Sequence, residues 1–599
     1  MADGTRNDDR FPSRTAGTTS NPAALVWLGL IIVLCLGLKF RQNAVPFFTG
    51  VDGGLYTNIA EHVRDGRGLV TDISPYHHGY ETFPHATAIY PLWPLIYGYA
   101  SRLVPVRIAG VWIPTLGYLL ALIFAYLWAS RSGSLGLDRQ GGGPQTWPLN
   151  SPALPEARRG PSASPFFKKL ATGLNPGHAL VLFLGLNGMF FTYTSLPYTE
   201  GLAYALLFAC LWRFHKIGLT GSLASAGEMG VWLALLMLVR SQFLVVALAA
   251  FLALALEAGR RRSSRDWGKL SLAIGVFAAL MLPWLIHVSR IVSGNPLSSL
   301  LRYDQARASN LLGPLEMLVS PATLAGRWKS LLLGLKVAFS PNGESSYFSN
   351  FHGLVFALPA FLILLLIGAK AWARSRKAAG GNVPDNAPRF EGPFLVLLSA
   401  GAFASLQLMQ VDLDLPWLFN QRHATILLVP LFLMWQAAAV SRKRVVPIIA
   451  ILVAFGTIIP GALDCWNAKT DVAMAAARLK PLERWLVSYE QGRSPAVVAA
   501  ADSLPQLLSP MVPGVGFHGV YRGTAQQDLR TLFEKAGADL LILEDQQFRG
   551  QFFFRQVDPD WFATYFEPAA ELPGYVVFRR SGRPGTVRQP RARDGGLVP

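Results

Sequence analysis

The chain has 599 residues, of which 51% are hydrophobic and 15% are charged, and its mean hydropathy is +0.32. Soluble domains carry about a quarter of their residues as Asp, Glu, Lys or Arg, so this composition excludes an ordinary soluble protein. The net charge of +18 lies in short Arg and Lys clusters between apolar runs, such as Arg260–Arg262 and Arg442–Arg444. That distribution is typical of positive-inside loops and anionic lipid contacts, and it argues against nucleic acid as a partner.

The N-terminal region predicts a membrane anchor that stays on the protein. Residues 1–22 are polar and are expected to form a disordered cytoplasmic N-terminus, followed by the first apolar run at 23–40. The run ends in Lys-Phe-Arg-Gln, residues 39–42, where a signal peptide would have small residues for cleavage. We therefore expect an uncleaved anchor.

Apolar runs of membrane-spanning length recur along the chain and predict a polytopic helical protein of about eleven transmembrane helices within residues 23–463. They are expected near 23–40, 109–130, 176–192, 199–213, 228–240, 242–257, 269–288, 353–369, 394–410, 424–440 and 445–463. With a cytoplasmic N-terminus, the Arg and Lys clusters fall inside and the C-terminus falls outside. Residues 41–108 and 289–352 become outer loops, and the Pro-, Gly- and Ser-rich residues 132–172 become a flexible cytoplasmic insert.

The region after the last span predicts a small extracytoplasmic α/β domain over residues 464–580, with a disordered tail at 581–599. Its strand-like runs are Ala496–Ala501, Asp539–Leu543 and Tyr575–Phe578, and its helix-like run is Ala525–Ala536. Because strand and helix patterns alternate, we expect a single mixed unit rather than a set of separate elements.

The first outer loop places a carboxylate near the membrane surface. Asp52 follows the first span, and Leu55, Ile59 and Val63 after it share one face of a helix. This spacing predicts an amphipathic helix that lies on the membrane surface. Residues 90–99 are rich in Tyr and Trp, which favour the level of the lipid headgroups.

These motifs, in this order, resemble the GT-C membrane glycosyltransferases, which include protein O-mannosyltransferases and lipid A aminoarabinose transferases. The sequence Asp-Gly-Gly-Leu-Tyr at 52–56 is similar to the Asp-x-x-x-Tyr that opens a juxtamembrane helix in that family. Glu200 opens the fourth span and Arg240 ends the fifth, where family members often have an acid and an arginine. Residues 421–423, Gln-Arg-His, before Pro430 resemble the family's Arg-Tyr-x-x-Pro.

Two positions depart from the family's pattern. Family members commonly have Lys or Arg before the Pro pair of the first loop, where this chain has Tyr90. His287 stands where Arg is usual in the family's Pro-Trp-x-x-Arg-Asn. Because the resemblance implies a cation on the donor phosphate, Arg240, Arg422 or His423 is left to supply it.

The resemblance implies that a sugar moves from a polyprenyl phosphate to an acceptor on the outer face, usually with inversion. Asp52 is then the catalytic base that accepts the acceptor's proton, and Glu81 is a second acid of the same loop. From position alone, Asp52 is a helix N-cap, Glu81 is a solvated charge and Arg240 snorkels to the headgroups. The residues expected to bind substrate are Tyr56, Tyr90, Glu200, Arg240, Gln421, Arg422 and His423.

A metal site in the same loop is an alternative use of its polar residues. Three imidazoles and the Glu81 carboxylate lie within residues 77–85 and offer ligand types that bind zinc. The imidazoles are those of His77, His78 and His85. A Gly and a Pro between them break the helix that would align them, so aromatic and polar packing at the interface is the competing interpretation. We expect that no cofactor is required. The resemblance leaves the use of a divalent cation as an alternative, because some branches of the superfamily use one.

The leading hypothesis is therefore an inverting glycosyltransferase of the cytoplasmic membrane that uses a polyprenyl-phosphate sugar and modifies a lipid, a glycan or a protein. A transporter or flippase of lipid-linked sugars is the alternative from another class. A transporter is expected to place ionisable residues at mid-membrane, whereas those of this chain lie mostly at span ends. A third interpretation is a non-catalytic membrane scaffold, which would tolerate Asp52→Asn.

Overall fold

A computed structural model of the chain describes residues 22–43, 51–74, 83–87, 89–132, 176–220, 222–240, 243–291, 394–395, 397–398, 445–490, 497–501, 503–544 and 552–581. Helices dominate these residues. They are α1 Pro22–Asn43, α2 Val51–Arg64, α3 Leu92–Ala100, α4 Val106–Ser132, α5 Pro176–Gly185, α6 Gly188–Tyr193, α7 Glu200–Thr220, α8 Leu223–Val239, α9 Leu244–Arg261, α10 Ser264–Ile291, α11 Val445–Glu490, α12 Leu504–Leu508, α13 Gln526–Glu534 and α14 Pro559–Tyr565.

Within the described residues, three helices are long and apolar enough to cross a membrane, namely Pro22–Asn43, Val106–Ser130 and Ser264–Ile291. The shorter helix Leu223–Val239 is also apolar. These helices coincide with predicted spans, so the polytopic helical fold class is confirmed in outline. The predicted spans 353–369 and 424–440, most of 394–410, and the outer loop 289–352 apart from the end of α10 lie outside the described residues.

The predicted span 176–192 is wrong as a single helix, because the chain breaks it into α5 and α6. The side-chain oxygen of Asn187 accepts a hydrogen bond from the Phe190 amide at 3.0 Å. Asn187 thereby acts as the N-cap of α6, and an asparagine that binds the backbone in this way competes with the continuing helix. The segment that follows, up to Glu200, reaches the candidate site.

The membrane helices share one apolar core, to which α1 and α4 to α9 contribute side chains and to which α11 adds Cys465. Helices α4 and α7 approach especially closely. A Cβ atom built on Gly201 would lie 2.6 Å from the Pro114 carbonyl oxygen, and one on Gly117 would lie 2.6 Å from the Gly201 carbonyl carbon. Only glycine permits this approach, so the two glycines set the position of the first turn of α7.

Eight short strands complete the described fold. They are β1 Val70–Thr71, β2 Ile73–Ser74, β3 His85–Ala86, β4 Val497–Ala501, β5 Gly516–Val520, β6 Ala538–Glu544, β7 Phe566–Leu572 and β8 Tyr575–Arg580. Strands β1 and β3 pair with each other, and the other six form a mixed sheet in the order β2-β5-β4-β6-β8-β7. β2, β5, β4 and β6 are parallel, whereas β8 and β7 pair antiparallel. The predicted strand and helix runs after residue 496 are all present.

Helix α11 connects the membrane core with the sheet. The predicted span 445–463 forms only its first part, and the helix continues without a break to Glu490. Leu479, Leu482 and Leu486 near its end pack into the apolar core of the sheet region. The predicted boundary between residues 463 and 464 therefore falls inside a continuous helix.

The predicted first outer loop contributes strand β2 to the C-terminal sheet. Strand β2 pairs in parallel with β5, so that Ile73 lies opposite Phe517 and Ser74 opposite His518. A loop and a sheet that share backbone pairing lie on the same side of the membrane. The predicted topology, in which both are outside, requires this arrangement.

Helix α2 forms as predicted, but its apolar face does not lie on lipid. Ile59 is fully buried and Val63 is 3% exposed. The helix contacts α3, α4 and α12, and Gly98 of α3 lies so close to Val63 that an added Cβ would be 2.5 Å from its side chain. The prediction of a helix on the membrane surface is corrected, because protein covers the face that would have faced the headgroups.

Candidate active site

Asp52 lies in the first turn of α2. The helix begins at Val51, so Asp52 is inside the helix instead of at the N-cap position that sequence alone suggests. A carboxylate in the first turn is favourable there because it faces the positive end of the helix dipole. The side chain is half-buried.

The residue after Asp52 brings the start of α2 against the segment that leads into α7. A Cβ atom on Gly53 would lie 2.9 Å from Pro197 Cγ and 3.0 Å from Tyr198 Cε1. Trp93 of α3 fixes the same segment, because its indole N–H donates to the Pro197 carbonyl oxygen at 3.1 Å. The start of α2, which carries the candidate base, therefore packs against residues 197–198.

Glu200 and Arg240 form a buried ion pair at that point. Glu200 is 1% exposed, Arg240 is 7% exposed, and Nη1 of Arg240 donates to Oε1 of Glu200. The same Nη1 donates to Thr199 Oγ1 at 3.2 Å. Arg240 is the residue that follows the last turn of α8, with an extended backbone. An arginine held by a carboxylate and a hydroxyl inside the protein does not snorkel, so that alternative for Arg240 is wrong.

Aromatic side chains surround the contact between α2 and residues 197–198. Tyr56, Trp93, Tyr97 and Tyr198 belong to one buried cluster that joins α2, α3, the start of α4 and the segment before α7. The hydroxyl of Tyr97 donates to the Val106 carbonyl oxygen at 3.1 Å. Tyr56 is thus packed beside the site, 8% exposed, and holds α2 in place.

Tyr90 and His287, the two positions that depart from the family's pattern, are brought together on one indole ring. The rings of Tyr90 and Trp284 have centroids 5.8 Å apart, and those of Trp284 and His287 are 5.3 Å apart and stacked. Nε2 of His287 donates to the Thr87 carbonyl oxygen at 3.2 Å. Leu238, two residues before Arg240, packs against the same cluster. The end of α10 therefore holds the first loop beside the end of α8.

Several predicted site residues fall outside the described residues, and their placement stays a prediction. They are His77, His78, Glu81, Gln421, Arg422 and His423. His85 is described: it lies in β3, with its ring centroid 5.7 Å from that of Phe83. Among the residues that the structure describes, no group of three or more His, Cys, Asp or Glu side chains is arranged to hold a metal ion.

Lys39 is a buried ionisable residue, which at the level of sequence is only part of the end of the first span. It is 0% exposed, and its Nζ donates to the Phe191 carbonyl oxygen and, at 2.7 Å, to Thr194 Oγ1. It also lies 4.6 Å from the Tyr118 ring centroid. Lys39 thus joins α1 to the end of α6, just before the segment that contacts Gly53. An ionisable residue at the end of an apolar run is the signal that points to it in the sequence.

The arrangement combines three chemical elements at the ends of membrane helices. The residue after the half-buried Asp52 contacts residues 197–198, Tyr198 belongs to the aromatic cluster, and the buried guanidinium–carboxylate pair begins two residues later at Glu200. A carboxylate can accept a proton, a guanidinium can stabilise a phosphate, and aromatic rings can pack against a sugar or a lipid.

No protein-family model matches the chain, and no curated protein matches it in sequence. In structure it is similar to the archaeal oligosaccharyltransferase AglB from Archaeoglobus fulgidus in complex with an inhibitory peptide and a dolichol-phosphate. The TM-score is 0.50 at 12% identity, over 88% of this chain and 69% of that chain. It also matches ArnT from Cupriavidus metallidurans bound to undecaprenyl phosphate, with a TM-score of 0.47 at 12% identity, over 93% of this chain and 98% of that chain. The first match carries the assignment of the fold.

Proposed function

We propose that this chain, which has the fold of the GT-C membrane glycosyltransferases, moves a sugar from a polyprenyl-phosphate donor to a lipid, glycan or protein acceptor. The fold predicted from the motif order is confirmed. The reaction, its donor and its acceptor are our proposal. We place the reaction on the outer face of the cytoplasmic membrane, and its proposed mechanism is a single inverting displacement.

The observation that carries the proposal is the contact between Gly53 and residues 197–198. It packs the start of α2, where Asp52 lies, against the segment that leads two residues later into the buried pair of Glu200 and Arg240. An acid and a cation at one point are what sugar transfer from a phosphate requires, because one group takes a proton and the other stabilises the phosphate that leaves. The dolichol-phosphate bound to the archaeal enzyme supports a polyprenyl-phosphate donor.

The proposed step is a displacement at the anomeric carbon of the donor sugar. The acceptor hydroxyl oxygen forms a bond to that carbon while its proton passes to Asp52, and the bond from carbon to phosphate oxygen breaks. The electron pair of that bond leaves with the polyprenyl phosphate. Because an ordinary carboxylate is a weak base, the protein contributes mainly alignment of the hydroxyl and exclusion of water.

Glu200 and Arg240 have distinct roles in this proposal. Arg240 stabilises the negative charge on the leaving phosphate, and Glu200 holds the guanidinium in position. Tyr56 and Tyr90 form the aromatic walls that pack against donor or acceptor. Gln421, Arg422, His423 and Glu81 stay proposed contacts to substrate.

The test uses the full chain in lipid nanodiscs and a panel of polyprenyl-phosphate sugars, with transfer measured by release of free polyprenyl phosphate. Asp52→Ala and Asp52→Asn are expected to lower kcat by about 10²- to 10⁴-fold, which is the usual contribution of a general base. Asp65→Ala is the control, because Asp65 is an acid of the same loop that pairs with Arg64 and Arg67 near the surface.

Equal rates for wild type and well-folded Asp52→Ala would refute the assignment of the base. Movement of intact donor across the bilayer, without release of polyprenyl phosphate, would favour the flippase instead. Parallel reactions with a chelator and with added divalent cation decide whether an ion takes part.

A further inference from the structure

The polar face of α2 is tied to the segment that becomes β2. Asn58 and His62 lie one turn apart on α2, and both reach the carboxylate of Asp72. Nε2 of His62 donates to Oδ2 of Asp72 at 2.8 Å, and Nδ2 of Asn58 donates to the same oxygen at 3.3 Å. In return, Oδ1 of Asn58 accepts from the Asp72 amide at 2.9 Å and from the Thr71 hydroxyl at 2.8 Å.

The backbone of Asp72 is bound to the C-terminal sheet. Its carbonyl oxygen accepts from the Phe517 amide at 2.8 Å, and the next residue, Ile73, begins the strand that pairs with β5. Asp72 thus binds α2 through its side chain and the sheet through its main chain. Helix α12 of the same C-terminal unit also contacts α2.

The cluster is buried and charged. The side chain of His62 is 2% exposed and that of Asp72 is 17% exposed. Burial raises the pKa of Asp72, but the hydrogen bond and charge of His62 and the hydrogen bond from Asn58 outweigh burial, so its pKa lies below the usual range. The carboxylate is therefore ionised at neutral pH, when its hydrogen bonds are strongest.

We propose that Asp72 is a positioning residue, which holds α2 and with it Asp52 in a fixed relation to the C-terminal sheet. The inference rests on the proposed function, in which Asp52 is the base. Asp52 lies six residues before Asn58 on the same helix, about 9 Å along its axis, so a shift of one end moves the other. A displacement of about 1 Å at a reacting group can lower a rate by about 10²-fold.

The competing explanation is that apolar packing alone positions α2. Val63 packs against Gly98 of α3, and Arg102 caps the end of α2 through the carbonyl oxygens of Val63 and Arg64. These contacts also hold the C-terminal half of the helix. The two explanations differ in what happens when only the Asp72 side chain is removed.

The experiment compares Asp72→Ala, Asp72→Asn and the control Asp65→Ala in the full chain, by hydrogen exchange and by steady-state kinetics. Asp72→Ala keeps the carbonyl that binds the Phe517 amide, so β2 stays paired. We expect exchange within Val51–Arg64 to rise roughly tenfold while the Phe517 amide stays protected. We expect kcat to fall about 10- to 100-fold with the KM for donor within about twofold. Asp72→Asn keeps an acceptor for His62, so its exchange rate in α2 and its kcat should lie between those of wild type and Asp72→Ala. Asp65→Ala should match wild type in both.

Three outcomes would overturn the inference. Unchanged exchange in α2 would mean that apolar packing positions the helix. Faster exchange in α2 together with an unchanged kcat would mean that the contact exists but does not position Asp52. Equal increases in the hydrogen exchange rate in α2 and at the Phe517 amide would indicate general destabilisation. If wild type transfers no sugar from any donor in the panel, the proposed function fails and the exchange pattern alone decides whether Asp72 holds α2.

Discussion

At the scale of single residues, Glu200 and Arg240 are separate features of the sequence: an acidic residue that opens one span and an arginine that ends another. The structure adds that they are one buried ion pair, with Thr199 as a further partner of Arg240. A charge of this kind inside a membrane protein needs its partner, because an unpaired buried charge is costly.

Removal of one residue of the pair is therefore expected to lower the free energy of unfolding more than removal of both. Glu200→Ala should lower the free energy of unfolding by about 3–5 kcal/mol, since it leaves the Arg240 guanidinium buried without its counter-ion. The double variant Glu200→Leu with Arg240→Leu should lose less stability but also lose sugar transfer. Unfolding in detergent measures the stability of the single and the double variant. Arg261→Ala, which breaks a more exposed pair with Glu257, is the control and should cost less than about 1 kcal/mol. A Glu200→Ala variant as stable as this control would contradict the prediction.

At the scale of elements, the first turn of α7 is placed by two glycines rather than by the charged residue beside them. Gly201 and Gly117 allow α7 and α4 to approach until backbone atoms are in contact. Hydropathy predicts both spans but contains no information on how near they come. The contact fixes where Glu200, in the first turn of α7, lies relative to α4.

Gly201→Ala is expected to push α7 away from α4, because its Cβ would lie 2.6 Å from the Pro114 carbonyl oxygen and backbone cannot move aside cheaply. Sugar transfer should fall about tenfold or more through displacement of the Glu200–Arg240 pair. Gly37→Ala in α1 is the matched control, since a Cβ there has no atom within 4 Å. It should keep full activity and gain slight helix stability. Equal activity of the two variants would show that α7 tolerates the shift.

At the scale of the whole molecule, the first loop and the C-terminal unit form one body on one side of the membrane. The pairing of β2 with β5 joins the loop to the C-terminal unit, and the continuous α11 joins that unit to the membrane core. The C-terminal unit is thus placed to hold the loop that carries Asp52.

Cysteine labelling tests this arrangement together with the predicted orientation. Arg67→Cys in the first loop and Arg579→Cys in β8 are both exposed positions and should react with a membrane-impermeant maleimide added outside. Arg262→Cys, between α9 and α10, should react only after permeabilisation. The native Cys35, Cys210 and Cys465 are buried and should give a low background. Labelling of Arg262→Cys from outside would reverse the predicted topology.

Local sequence patterns determined the helical polytopic class, the helix after Asp52 and the strands β4, β6 and β8 of the C-terminal unit, whereas β5 and β7 were not predicted. Hydropathy and residue periodicity act over one turn or one pleat, so these features are readable without a fold. Asp52, Tyr56, Glu200 and Arg240 were singled out by motifs that resemble those of the GT-C family, and these can be read from the sequence without a fold.

Only the tertiary structure decided which of these residues meet. Asp72 and Phe517 are joined although they are far apart in sequence, Glu200 and Arg240 pair between two helices, and α2 buries the face expected to lie on lipid. Such contacts depend on how elements dock and on where a glycine allows close approach, and no local period encodes them. Asp52 thus began as an acid after the first span, and the fold adds that its helix packs against the segment before Glu200 and is tied to the C-terminal sheet through Asp72.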